Sequence, residues 1–358
     1  MSRIDALLRK LKEEGGSDLH LAAGLVPRIR RRGHIEDLAQ QPVLADADLR
    51  SMLAEIVSEE QWREYERVRD LDFAHAIPGV ARFRANYLAQ ENGAAAVFRI
   101  VPESVISADA LGLPPAIASL ADLAKGLVLV TGPTGSGKST TLAAVIDRIN
   151  RGQDRHVVTI EDPVEFVHEN QRCVFSHREV GAHTESFGAA LRATLRQDAD
   201  VVLVGEMRDR ETIALAITAA EMGLLVFGTL HTNGAAKTID RVVDAFPAKE
   251  QEQVRLSLSE SLAAVVSQLL LPTADGRGRC AVHEVLLRTP GLANVIREGN
   301  TPMLTSIIQA GKSVGMQAMD DALFALAKEG RVRPEDAASK AHDKARFQPL
   351  VGASPSGA

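Results

Sequence analysis

Residues 127–140 read LVLVTGPTGSGKST, and this stretch decides the fold. An apolar run leads into Gly132, and after four intervening residues comes Gly137-Lys138-Ser139, the Walker A spacing. The glycines let backbone N–H groups turn inward and approach phosphate oxygens without a Cβ in the way. Lys138 is placed to reach β- and γ-phosphates and Ser139 to put its hydroxyl on Mg²⁺. A helix beginning near Thr140 would aim its positive end at the phosphates. A chance glycine-rich turn can share the spacing, but it lacks the strand before and the helix after, here expected over 141–150. The candidate nucleotide-binding residues are Gly132, Pro133, Thr134, Gly135, Ser136, Gly137, Lys138, Ser139 and Thr140.

Outward from this loop, apolar runs at 127–130, 156–160, 201–204 and 224–229 alternate with helical patterns. Runs of that kind suit strands buried on both faces of a parallel sheet. The run at 201–204 ends in Gly205-Glu206, a Walker B pattern that carries a carboxylate to the edge where a nucleotide sits. Glu206 is a candidate for the Mg²⁺ shell or for orienting water. Three acids, Glu161, Asp162 and Glu165, follow the run at 156–160, and hydrolysis needs a carboxylate to position or deprotonate water. Gly228-Thr229-Leu230-His231-Thr232 ends a further strand. His231 there either joins the phosphate and metal–water network or is a satisfied structural histidine.

The front of the chain reads differently. Ile4, Leu7, Leu8 and Leu11 recur at helical spacing and Gly15-Gly16 ends that helix. Extended segments are expected at 18–21 and 27–32, one or two helices over 46–69, and strands at 71–76, 80–90 and 94–100. Pro78-Gly79 and Asn92-Gly93 separate those strands, and Asn-Gly is a strong hairpin signal. Within 80–90, Phe83, Ala85 and Tyr87 share one face and Arg82 and Arg84 the other. Arg82 and Arg84 form either a solvated basic face or a pair from which one arginine reaches a neighbouring subunit's nucleotide phosphates. Beyond Pro247 the chain reads as mostly helical, with Val254, Leu258, Leu262, Val265 and Leu269 on one amphipathic helix and a strand at 281–287. The expected organisation is an α+β domain over 1–105 and a linker over 106–120. An α/β nucleotide-binding domain with C-terminal helices follows over 121–345, and a flexible tail over 346–358.

Composition narrows the class. The 358 residues carry 41 basic and 47 acidic side chains, a formal net charge of −6, so no global positive field marks a nucleic-acid binder. Aromatic residues are only 4%, which leaves no stacking platform for bases. The two cysteines, Cys173 and Cys280, are far apart, and neither a disulfide framework nor a zinc site is expected. No stretch approaches the about 18 uninterrupted apolar residues of a membrane span, and the N-terminus lacks the apolar core of a secretory signal.

VTIEDPVEF (158–166), LVGEMRD (203–209) and FGTLHTNGAAKTIDRVVDAFP (227–247), in this order after the Walker A box, resemble the aspartate, Walker B and histidine boxes of the secretion-ATPase superfamily. Together with GGSDLHLAAGLVPRIR (15–30), PGVARFRANY (78–87) and GMQAMDDAL (315–323), they resemble the type IV pilus retraction ATPases nearly end to end. The resemblance implies a PAS-like N-terminal domain, a RecA-like domain and a homohexamer with ATP and Mg²⁺ at subunit boundaries. It implies Glu165 as general base, Glu206 as the Mg²⁺-associated acid and His231 near the phosphate. It also implies a cytoplasmic motor peripheral to the inner membrane, with a membrane platform protein and a second retraction motor as partners and no nucleic acid. Two segments depart: the family's AIRNLIRE reads GLANVIRE at 291–298, and its Asp-Pro-Asp before the Walker B box reads Asp198-Ala199-Asp200. An accessory pilus motor and a ring NTPase acting on nucleic acid are the alternative readings.

Overall fold

The computed structural model describes residues 2–31, 33–101 and 105–351. The chain divides into two compact units, Met1–Ser104 with Pro163–Val167, and Val105–Asp162 with His168–Ala358.

The first unit is an antiparallel sheet with helices. Its strands are β1 (Asp18–Ala22), β2 (Arg28–Arg31), β3 (His34–Asp37), β4 (Asp70–Ile77), β5 (Ala81–Gln90) and β6 (Gly93–Val101), in the order β3-β2-β1-β6-β5-β4. The helix Arg3–Glu13 buries Ile4, Leu7, Leu8 and Leu11, and Ser2 caps it by accepting from the Asp5 N–H. Alternation along β5 buries Phe83, Ala85 and Tyr87 and leaves Arg82 and Arg84 half-buried. Tyr65, Phe73 and Phe98 meet Tyr87 edge to face in this core. The β5–β6 hairpin exists, but its two loop residues are Glu91 and Asn92. Gly93, at φ 121°, already pairs with Gln90.

The second unit is a seven-stranded sheet of β7 (Gly126–Thr131), β8 (His156–Glu161), β9 (Val174–Glu179), β10 (Val201–Val204), β11 (Leu225–Leu230), β12 (Leu262–Pro272) and β13 (Arg279–Leu287). The order is β13-β12-β7-β11-β10-β8-β9, parallel throughout except for the β12–β13 pair. Helices Arg210–Glu221, Ala235–Asp244 and Pro290–Glu298 cover one face, with Ile213, Ile239 and Ile296 in its core. Helix Lys138–Gly152 covers the other, where Ile117 and Leu120 from the segment before β7 pack beside Val145 and Ile149.

Two expectations are corrected. The single helix through Val254, Leu258, Leu262, Val265 and Leu269 ends at Ser261, and the remaining three residues lie on β12. A run this apolar, broken only by Ser267-Gln268, carries no period that separates a buried helix from a buried strand. The vacant place beside β7 and the β-branched Val265-Val266 favour the strand. A flexible tail is expected from 346, yet Phe347 is fully buried against the C-terminal helices and Gln348–Val351 is helical. Residues 352–358 lie outside the described residues, as does Arg32 at the end of the predicted segment 27–32.

Candidate active site

β7 ends at Thr131 and the chain turns through three glycines at positive φ: Gly132 at 143°, Gly135 at 77° and Gly137 at 86°. A Cβ on Gly132 would stand 2.2 Å from the Gln268 carbonyl oxygen, so packing as well as conformation demands glycine there. The helix begins at Lys138, one turn's fraction earlier than predicted, and places Ser139 and Thr140 in its first turn. Lys138 is buried, and its Nζ donates to the carbonyls of Gly132 at 2.9 Å and Pro133 at 3.1 Å. The ammonium thus lies folded against the loop that a phosphate would occupy.

Gln268, on β12, braces this loop and was not among the sequence candidates. Its Nε2 donates to the Ser136 carbonyl at 2.7 Å and its Oε1 accepts from the Thr141 hydroxyl at 2.8 Å, with only 2% of the residue exposed. One buried amide therefore ties the loop to its helix. The neighbouring Ser267 accepts from the Gly234 N–H at 2.8 Å, just after the histidine segment. The signal was present: Ser267-Gln268 is the one polar pair in the apolar run 262–271. It carries meaning only once that run is a strand beside β7.

The other residues arrive through strand register. Parallel β8, β10, β11 and β7 end at one edge, so the residues after Ile160, Val204 and Leu230 emerge beside the loop after Thr131. The Gly205 N–H donates to the Ile160 carbonyl at 2.8 Å, the Met207 N–H to the Thr229 carbonyl at 3.0 Å, and the Thr229 hydroxyl to the Gly205 carbonyl. These bonds lock the turn that presents Glu206. Arg208 grips that carboxylate with two bonds, Nε to Oε1 and Nη2 to Oε2, both at 2.7 Å. His231 Nε2 lies 3.0 Å from Oε1. The Arg208 hydrogen bonds, seconded by the charge of Arg208 and by His231, hold the Glu206 carboxyl below the usual carboxylate range. Arg208 is a second residue the sequence reading missed, although it sits in the LVGEMRD stretch.

Glu161 is buried at the end of β8 and Asp162 follows it, exposed. Glu165 lies in the segment Pro163–Val167, which belongs to the first unit, and Arg84 Nη1 donates to its Oε1 at 3.2 Å. The structure therefore brings Lys138, Ser139, Glu206 and His231 to one sheet edge and pairs Glu165 with Arg84 in the first unit. Arg82 lies half-buried on the same face of β5. The hydroxyl and carboxylate oxygens of Ser139, Glu161, Asp162 and Glu206 are hard donors of the kind Mg²⁺ takes. Both Glu206 oxygens are occupied by Arg208 and His231, so that carboxylate fits a Mg²⁺ through water better than by direct ligation. Among the described residues no cluster of three or more His, Cys, Asp and Glu could hold a metal ion.

The family described as "Type II/IV secretion system protein" matches residues 1–330. The chain belongs to that family. It is 49% identical over 338 residues to the "Type IV pilus retractation ATPase PilT" of Pseudomonas aeruginosa, covering 94% of this chain and 98% of that one. It is 40% identical over 338 residues to the "Type IV pilus ATPase PilU" of the same organism, covering 94% of this chain and 88% of that one. A crystal structure of the pilus retraction motor PilT with bound ADP superposes with a TM-score of 0.89 at 41% identity, over 97% of this chain and 98% of that one. The ATPase DotB of Legionella pneumophila superposes with a TM-score of 0.82 at 27% identity, over 93% of each chain. This secretion-family member is an ATP-hydrolysing enzyme. Its PAS-like front unit and RecA-like nucleotide unit are the architecture read from the sequence.

Proposed function

We propose that the chain is a homohexameric ATPase that drives type IV pilus retraction from the cytoplasmic face of the inner membrane. The end-to-end match to a retraction motor carries this reading, and the Glu206–Arg208–His231 cluster beside the Lys138 loop supplies chemistry for it. ATP binds on Gly132–Thr140, with Lys138 leaving its two carbonyls for the phosphates. The Ser139 hydroxyl and, through water, the Glu206 carboxylate would hold Mg²⁺, which would neutralise phosphate charge. Glu165 directs the attacking water, and His231 relays the state of the γ-phosphate to Glu206. Arg84, with Arg82 behind it, supplies positive charge to a neighbouring subunit's phosphates, which requires Arg84 to release Glu165. That exchange would free the base and deliver the arginine together. The membrane platform protein and a second, PilU-like motor are the expected partners. The accessory-motor reading has the lower identity, 40% against 49%.

Phosphate release by the purified protein tests the chemistry, and retraction in a retraction-defective strain tests the role. Lys138→Ala and Glu206→Gln should lower turnover at least ~100-fold, and Arg84→Glu should do so while the ring still assembles. Turnover unchanged in Glu206→Gln would remove the cluster from the mechanism. Wild-type turnover without restored retraction would leave an ATPase of another machine.

A further inference from the structure

β13 is the outer strand of its sheet, and its outer edge is only partly covered. Val285 exchanges two backbone hydrogen bonds with Gln317, at 2.8 and 3.0 Å. Register with β12 runs without a shift from Leu287 to Arg279, so backbone groups alternate sides along the whole strand. Val285 points outward, and therefore His283, Ala281 and Arg279 do too. The His283 carbonyl accepts from Gln317 Nε2 at 2.8 Å, and among the described residues the Ala281 carbonyl meets only the Cys280 thiol at 3.8 Å. The N–H groups of Ala281 and His283 have no hydrogen-bond partner among the described residues.

This bare edge lines a groove of about 820 Å³ together with Leu111, Pro114, Ala325 and Leu326. Arg277, Arg279 and Arg331 stand on its rim, all exposed and none in an ion pair among the described residues. Two acids also line it. Asp275 is turned into its own loop, accepting from the Thr273 hydroxyl and the Arg277 N–H, which leaves Glu329 as the opposing charge. His283, 3% exposed, lines the groove with its Nε2 without a hydrogen-bond partner among the described residues. A small anion would answer the arginines but not a row that alternates donor and acceptor. An extended polypeptide answers both.

We propose that the outer edge of β13 receives an extended acidic segment of a partner protein, which adds as an eighth strand with its carboxylates on Arg277, Arg279 and Arg331. The open edge from Arg279 to His283 accommodates a strand of about five residues, roughly 16 Å long. Nothing in this assignment depends on the pilus reading.

The probe is a fluorescent dodecapeptide of alternating glutamate and valine, titrated onto the full chain beside its lysine–valine counterpart and a version N-methylated at alternate amides. The acidic peptide should bind saturably and weaken with salt, the other two should not bind, and exchange of the Ala281 and His283 amides should slow ~10-fold or more. Arg279→Glu combined with Arg331→Glu should weaken binding at least ~10-fold with ATP turnover unchanged. Ala281→Pro, which deletes one outward N–H without touching the ladder to β12, should do the same. Failure of the acidic peptide to bind, equal binding by either control, or retention in the arginine variant would overturn the proposal. So would slow exchange at Ala281 and His283 in the free protein. Displacement of the peptide by inorganic triphosphate at equal stoichiometry would reassign the groove to small anions.

Discussion

At the scale of single residues, the nucleotide loop depends on a side chain 130 or so positions downstream of it in sequence terms, since Gln268 bonds Ser136 at |i−j| = 132. Gln268→Leu keeps the volume and removes both bonds, leaving the Ser136 carbonyl and the buried Thr141 hydroxyl unanswered. Each such loss costs about 1–3 kcal/mol. We expect lower thermal stability and roughly tenfold weaker ADP binding, since the loop would no longer be held in its binding shape. Gln268→Glu, which keeps the acceptor for Thr141 but sets a buried carboxylate against the Ser136 carbonyl, should weaken ADP binding at least as much. Calorimetric titration with ADP reads both, and undiminished affinity in Gln268→Leu would make the amide a packing residue only. The same scale shows where sequence was sufficient. Glu206 and His231 follow strand ends and Lys138 opens the helix after the loop that follows β7, and parallel strands fix that their ends share an edge. The partners Arg208 and Gln268 required side-chain geometry, which no spacing rule supplies.

At the scale of elements, one carboxylate serves two helices. Helices Ala235–Asp244 and Met319–Lys328 begin at Gly234 and Ala318 without a capping side chain of their own. Glu284 on β13 supplies it, Oε1 accepting from the Ala235 N–H at 2.8 Å and Oε2 from the Met319 N–H at 3.4 Å. Glu284→Ala should cost about 1–2 kcal/mol, the worth of a lost cap, with a smaller loss for Glu284→Gln. Denaturant unfolding measures it, and a change within experimental error would show that water replaces the carboxylate. Neither helix start is legible locally, because the cap lies 49 residues after one of them. Parallel strands β7, β8, β10 and β11 were legible because their apolar runs are bounded by glycine and acid, whereas parallel β9 was not, because VFSHRE has only two apolar residues. β12 was not, because Leu262 to Leu271 shows neither a period of two nor of 3.6, and only its neighbours choose. The hairpin at Asn92-Gly93 was legible in kind but displaced by one residue. Glycine's positive φ served the first residue of β6 rather than the centre of the turn.

At the scale of the whole molecule, acid should weaken the second unit in a defined window. Burial, then the charge of His177, pushes His168 down to about 4, and burial alone pushes His283 to about 4. Above the unfolded value of about 6.5 neither state binds these protons and stability is complete. As pH falls from there toward 4, the unfolded chain takes up protons that the folded chain refuses, and stability drops by up to about 3 kcal/mol per histidine. His168→Phe, whose ring can keep the 5.0 Å stack on Phe175, should flatten that slope relative to wild type. Urea unfolding at pH ~7 and ~4.5 gives the comparison, and an unchanged difference would assign acid sensitivity elsewhere.

The membership of Pro163–Val167 in the first unit has a consequence for how this gene can be cut. No single breakpoint releases either unit whole. A fragment ending at Ser104 lacks Glu165 and leaves Arg84 without its ion pair, while the complementary fragment carries a pentapeptide whose neighbours are gone. A chimera that exchanges the front unit between relatives must therefore exchange two stretches of coding sequence. Recombination at one junction joins a pentapeptide from one parent to an arginine from the other.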